Sequence, residues 1–222
     1  MNIQDIITAP SRDTLVTIGM WTSLIFYFLC FLPQIWTNYQ CKSGKGISEW
    51  MLLGYLNAYL FILYYIFCVD MPLVYRIIVP THVAATLVLV AQRLYYDTSS
   101  RVHYYRMLYG ANILVAMLCI PLAWSHAALV GCVAGWCNFT LCVVNQIPQV
   151  VKIWRHKSVE GFSFLFVLAI GIAASIESVV AFAHPLPPQT QFNALRGVVF
   201  VVIFCIQFLL YKKTIKECPH GG

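Results

Sequence analysis

Charge is scarce in this chain, and its spacing is what most limits the fold. Uncharged runs cover 14–41, 50–69, 77–92, 107–151, 161–176, 178–195 and 197–211. A helix rising about 1.5 Å per residue needs roughly 20 apolar residues to cross a bilayer core. The run 107–151 is long enough for two crossings, with "PLAWSHA" (121–127) as the bend between them. Only 10% of the residues are charged and 60% are hydrophobic, whereas a soluble domain carries about a quarter charged residues. The chain therefore reads as an all-α membrane protein. Its seven helices are expected near 14–37, 50–69, 72–95, 104–122, 126–153, 162–183 and 191–212. The connecting loops are too short for a second domain, so function lies within the bundle or on its rims. Asp5, Arg12 and Asp13 precede the first span without a basic region and short apolar core, so no cleavable signal is expected.

The basic residues set the orientation. Lys42 and Lys45 follow the first span, and Arg93, Arg101 and Arg106 flank the loop after the third. Lys152, Arg155 and Lys157 follow the fifth, and Lys212, Lys213 and Lys216 the seventh. Only Arg12, Arg76 and Arg196 fall elsewhere. The positive-inside rule then puts the N-terminus outside, or in a lumen, and the C-terminus in the cytosol. The net charge of +6 is thus a topology signal; no continuous basic face offers a nucleic-acid surface. Cys30, Cys68, Cys119, Cys132, Cys137, Cys142 and Cys205 sit in or beside spans and are expected as small packing residues. No spacing suggests a metal site or a cofactor.

An internal repeat organises the chain. Shifted by 115 residues, "PQIWTNYQCKSGKGIS" (33–48) lies without a gap on "PQVVKIWRHKSVEGFS" (148–163). Pro33 meets Pro148, Gln34 meets Gln149, Lys42 meets Lys157, Ser43 meets Ser158, Gly46 meets Gly161 and Ser48 meets Ser163; upstream, Trp21 meets Trp136. The units begin at the first and fifth helices, an even number of crossings apart, so they enter the membrane in the same direction. Two parallel three-helix bundles joined by a linker helix (3+1+3) follow, at 1–100, 101–125 and 126–222.

Proline within a span removes a backbone donor and frees the carbonyl four residues earlier, here at Leu29 and Val144. Pro33–Gln34 and Pro148–Gln149 are therefore expected either as hinges or as static kinks stapled by an amide. Helical spacing extends each glutamine into a stripe: Ser23, Tyr27, Cys30 and Gln34, and Asn138, Cys142, Asn145 and Gln149. Polar groups avoid lipid, so both stripes should face a common interior, lining a wet pocket or bonding helix to helix. Tyr27, Asn57, Asn138 and Asn145 are the candidate solute ligands. Asn112 is read as more a bridge between helices than a pocket residue, His82 as a packing residue, and Trp21 and Trp136 as packing or interface anchors.

Two Pro-Gln dipeptides, each followed by "KS..G.S" in a seven-helix chain, resemble the PQ-loop transporters of the cystinosin-like group. "IQFLLYKK" (206–213) is similar to the end of that group's last helix. The resemblance spans nearly the whole chain and implies a two-bundle fold related to the small sugar transporters, amino-acid export by alternating access, often with protons, and residence in a lysosome or vacuole or in a bacterial inner membrane. Proton-using members carry an aspartate in the helix after a Pro-Gln motif. "SEWMLLGYLNAY" and "SFLFVLAIGIAA" carry none, and an apolar residue such as Ile170 stands there instead.

Glu177 is the one acid inside an expected span, and Arg196 lies at similar depth in the next helix. The pair is expected as an ion pair forming an outer gate, or Glu177 as a proton-coupling acid. The partners implied are a small polar solute, protons if coupled, and the bilayer. A sugar carrier of the same fold, or a receptor that binds without flux, remains the alternative. No nucleophile and base are joined by a motif, so an enzyme is not expected.

Overall fold

The computed structural model describes residues 12–99, 101–184 and 186–211, with side chains described from Thr14 onward. Lys212, Lys213 and Lys216 of the basic count lie outside the described residues, as do Asp5 and the side chains of Arg12 and Asp13. The helices are α1 (Arg12–Gln40), α2 (Glu49–Cys68), α3 (Leu73–Tyr96), α4 (Val102–Leu118), α5 (Ile120–Ser125), α6 (Ala127–Val144), α7 (Ile147–His156), α8 (Phe164–Ala183) and α9 (Pro188–Tyr211). Taken with α4–α5 and α6–α7 as single crossings, seven spans among the described residues are long and apolar enough to cross a membrane. Their outward faces carry large apolar side chains such as Ile25, Leu32, Val179 and Leu209, as contact with lipid requires.

Within the first half α3 packs against both α1 and α2; within the second, α9 packs against α6 and α8. The halves meet where α1 lies on α8 and α2 on α6, two interfaces that the 115-residue shift exchanges. The linker stands apart: Tyr109 is the only buried residue of α4, and α5 has none. Apolar crevices of about 620 and 330 Å³ separate it from α2 and α6.

The two proline motifs differ in backbone. α1 passes through Pro33 unbroken. The fifth span breaks into α6 and α7 at Asn145 and Gln146, and Pro148 sits in the first turn of α7, where a missing N–H is tolerated. Close packing accompanies the break. A Cβ on Gly54 of α2 would stand 2.2 Å from Cβ of Asn145, so only glycine admits the asparagine there. Lys42 and Lys157, equivalent under the repeat, both adopt left-handed backbone, with φ of 46° and 51°, and turn the chain away after α1 and α7.

Candidate functional site

The end of the bundle that carries the basic loops is closed by the two proline-motif glutamines. Gln34 Nε2 donates to the carbonyl of Gly161 (2.9 Å), and its Oε1 accepts from the backbone N–H of Ser163 (2.8 Å). Gln149 Nε2 donates to the carbonyl of Gly46 (3.1 Å), and its Oε1 accepts from the N–H of Ser48 (2.7 Å). Each amide thus grips the Gly-x-Ser of the other half, and both glutamine side chains are fully buried. At the centre of this crossed clasp the two glycines touch. A Cβ on Gly46 would lie 1.9 Å from the Gly161 carbonyl oxygen, and Gly161 has φ +72°. These contacts explain the spacing of the "PQ…KS..G.S" motif, whose glycine and serine are the partners of the opposite glutamine.

Beyond the clasp, towards the basic end, a vestibule of about 460 Å³ is lined by Lys45, Lys152, His156 and Ser158 together with Gln149, Gly46 and Gly161. Lys152 Nζ donates to the carbonyls of Lys45 and Gly46, so Gly46 is held by two donors at once.

Both polar stripes face inward. Ser23, Cys30 and Gln34 are buried, as are Asn138, Cys142, Asn145 and Gln149, while Tyr27 is half-buried. They flank a central cavity of about 60 Å³ lined by Tyr27, Cys30, Tyr55, Tyr59, Gln146 and Arg196, with His82 and Phe166. Its wall is largely aromatic: Tyr55 and Tyr59 stack at 5.8 Å, and His82 lies edge-on to Tyr59 at 5.1 Å. Because His82 Nε2 bonds the carbonyl of Tyr27 at 3.0 Å, that nitrogen must carry the proton. Ile170, the apolar residue at the place of the resemblance's aspartate, lines this same cavity.

On the far side of the cavity lies a polar cluster. Tyr27 Oη donates to Glu177, Asn193 Nδ2 to Asn138 Oδ1 at 3.4 Å, and Tyr65 and Thr190 share a hydroxyl contact at 3.4 Å. The expected Glu177–Arg196 ion pair is not among the described salt bridges. Arg196 instead donates from Nε to Asn193 Oδ1 (3.1 Å) and from Nη1 to the Cys142 carbonyl (3.0 Å). Similar depth along two helices leaves their rotation free, and the rotation here turns Arg196 to the cavity.

The candidate solute ligands separate. Tyr27 reaches the cavity, and Asn138 donates to the Ala58 carbonyl (2.8 Å) while touching the Glu177 cluster. Asn145 is buried at the helix break with both amide atoms unpartnered. Asn57 points away from the cavity into the crevice beside the linker, shared with Asn112. Sequence reasoning missed Gln146, Tyr55 and Tyr59. It also missed a second repeat signal: Gln92 donates to the Ile35 carbonyl (3.1 Å) and Gln207 to that of Val150 (2.8 Å), both pairs related by the 115-residue shift. "QRLYY" (92–96) laid on "QFLLY" (207–211) was the available sign.

Two three-helix repeats around a central cavity, pinned at one end by reciprocal glutamines, define a class of seven-helix membrane proteins. Residues 15–74 and 130–190 match the family model described as PQ loop repeat, and these segments make up more than half of the sequence. The chain belongs to the PQ-loop repeat family. It is 23% identical over 249 residues to cystinosin of Drosophila melanogaster, covering 94% of this chain and 62% of that protein. It is 29% identical over 105 residues to cystinosin of Bos taurus, covering 39% and 29%. The chain therefore spans less than two thirds of the length of these relatives. The structure of a eukaryotic SWEET transporter matches the fold with a TM-score of 0.68 at 16% identity, over 92% of this chain and 100% of that one.

Proposed function

We propose that this protein carries a small polar solute, an amino acid, across its membrane by alternating access. In this reading the basic end faces the cytosol and the first helix starts outside or in a lumen, in a lysosomal or vacuolar membrane or a bacterial inner membrane. The observation that carries the proposal is the crossed clasp of Gln34 on Gly161 and Ser163 and of Gln149 on Gly46 and Ser48. The halves part at this end only by releasing those four hydrogen bonds together. At about 0.5–1.5 kcal/mol each, the sum is a few kcal/mol, which differential solute binding can offset. Pro33, which removes a backbone bond inside continuous α1, and Pro148, beside the break between α6 and α7, are the bending points in this reading. Relatives named cystinosin and a SWEET transporter of the same fold support transport over reception.

Glu177 is proposed as the proton site, exchanging its contact with Tyr27 as the far end opens. The decisive experiment is counterflow in proteoliposomes with the twenty common L-amino acids and D-glucose tested singly. Amino-acid exchange is expected; saturable binding without flux would reject transport in favour of a receptor. Glu177→Gln should abolish pH-driven uptake, and an unaltered pH dependence at normal expression removes Glu177 from coupling.

A further inference from the structure

The central cavity holds a donor and an acceptor that the helices leave without partners. Arg196 spends Nε on Asn193 and Nη1 on the Cys142 carbonyl, and no hydrogen bond from Nη2 is formed among the described residues. Both partners are neutral, and Glu177 is bonded to Tyr27 instead. Glu177 acts on Arg196 through space but makes no ion pair with it, so the guanidinium keeps a donor for an anionic group that reaches it directly. Gln146 comes from the break between α6 and α7 and is only 5% exposed. Its Nε2 donates to the Tyr55 hydroxyl at 2.8 Å, and its buried Oε1 has no partner. Both residues line the same cavity, whose remaining wall is aromatic and aliphatic.

Resting on the transport reading above, we propose that Gln146 is a specificity-determining residue of this cavity. Its Oε1 accepts a hydrogen bond from the solute's ammonium group while Arg196 Nη2 holds the solute's carboxylate. The two fixed groups then read the zwitterionic head, and the aromatic wall takes the side chain. A sugar offers neither charge: its hydroxyls bring no anion into contact with the guanidinium. The break in the fifth span has a use in this arrangement, because it frees the Gln146 side chain to reach Tyr55 across the interface between the halves.

The test is competition in counterflow, using the best exchanged of the twenty common L-amino acids, its N-acetyl form, which lacks the ammonium, and its methyl ester, which lacks the carboxylate. Wild type should prefer the parent over the N-acetyl form by roughly ten- to a hundred-fold, the range of a charge-assisted hydrogen bond. Gln146→Leu should reduce that preference to within a few-fold, and Gln146→Glu, which keeps an acceptor, should retain it. Arg196→Gln should lose the preference over the methyl ester and keep the other. If Gln146→Leu fails to fold by size-exclusion and melting temperature, Gln146→Met takes its place. Equal loss of rate for all three probes, with discrimination intact, would make Gln146 structural and overturn the assignment. Exchange of D-glucose and of no amino acid would overturn it while leaving transport standing. Absence of any flux rejects the transport reading, and the same competition scored as binding then decides the head-group assignment.

Discussion

Gln34 and Gln149 make the same contacts, yet the helices that carry them are braced differently. Around Gln34, Nε2 also donates to Asn38 (2.9 Å), and Asn38 donates to Gln92 (3.2 Å), which returns to the Ile35 carbonyl. Arg93 of the same helix bonds Glu49 and approaches Asp97 at 3.6 Å. In the second half Ile153 stands where Asn38 does, so Gln207 keeps its bond to Val150 but its Oε1 is left without a partner. Phe164 and Phe208 replace Glu49 and Arg93, in edge contact at 5.2 Å. One half is thus held by directional polar bonds and continues as one helix through its proline. The other is held by aromatic packing, which tolerates sliding, and breaks two residues before its proline. A duplicated motif fixes what the glutamine grips; its neighbours decide how stiffly the gripping helix is held, and in the proposed transport cycle the second half is the one expected to bend more.

Substitution at the shared centre should have the largest effect. Gly46→Ala puts a methyl group into the Gly161 carbonyl. Overpacking of this kind costs about 1–3 kcal/mol, a shift of up to roughly a hundred-fold against the closed clasp, read as a matching loss of counterflow. Next in size, Gln149→Ala should slow exchange more than Gln34→Ala, because Arg93 and Gln92 still brace the first half; equal losses would break the comparison, and full activity in both would reject the clasp. Smaller again is Ile153→Asn, which supplies the missing donor to Gln207 and can accept from Gln149 as Asn38 does from Gln34. Turnover should fall several-fold with little change in melting temperature, whereas faster turnover would show that stiffness is not what separates the halves.

The smallest expected effect concerns Asp97 alone. Its carboxyl is held below the usual carboxylate range chiefly by the Ser99 backbone N–H, with help from Arg93. A lowered value in the folded state stabilises the protein above the ordinary value near 3.8 and is lost as pH falls through the lower one. The melting-temperature gap between wild type and Asp97→Asn should therefore be small near neutral pH and close on acidification. The aromatic contacts of the second half contain no matching titration.

Much of the fold was legible because its signals are local or periodic. Charge spacing placed seven spans within a few residues of their observed ends, and the register of the repeat paired Gln34, Gly46 and Ser48 with Gln149, Gly161 and Ser163 without showing that each glutamine holds the opposite half. The inward direction of the two stripes also followed from helical spacing. The site was less legible. Asn57 lies at the right depth but on the face towards the linker, and depth alone does not fix a helix's rotation. Glu177 and Arg196 lie at similar depths and do not pair, for the same reason. Gln146 was hidden beside a motif that drew attention to Gln149, and only the turn at 145–146 brings it to the cavity.

By itself, the sequence determined that this is a duplicated seven-helix membrane protein with two proline–glutamine motifs, because hydropathy and repetition are properties of the chain taken in order. Tertiary structure decided that each glutamine holds the opposite half, that the second motif breaks its helix and the first does not, and that Arg196 faces the cavity. Those outcomes depend on which surfaces of α1 and α8, and of α2 and α6, come together. That choice is made by packing between residues far apart in the chain, down to the space left at Gly46, Gly54 and Gly161.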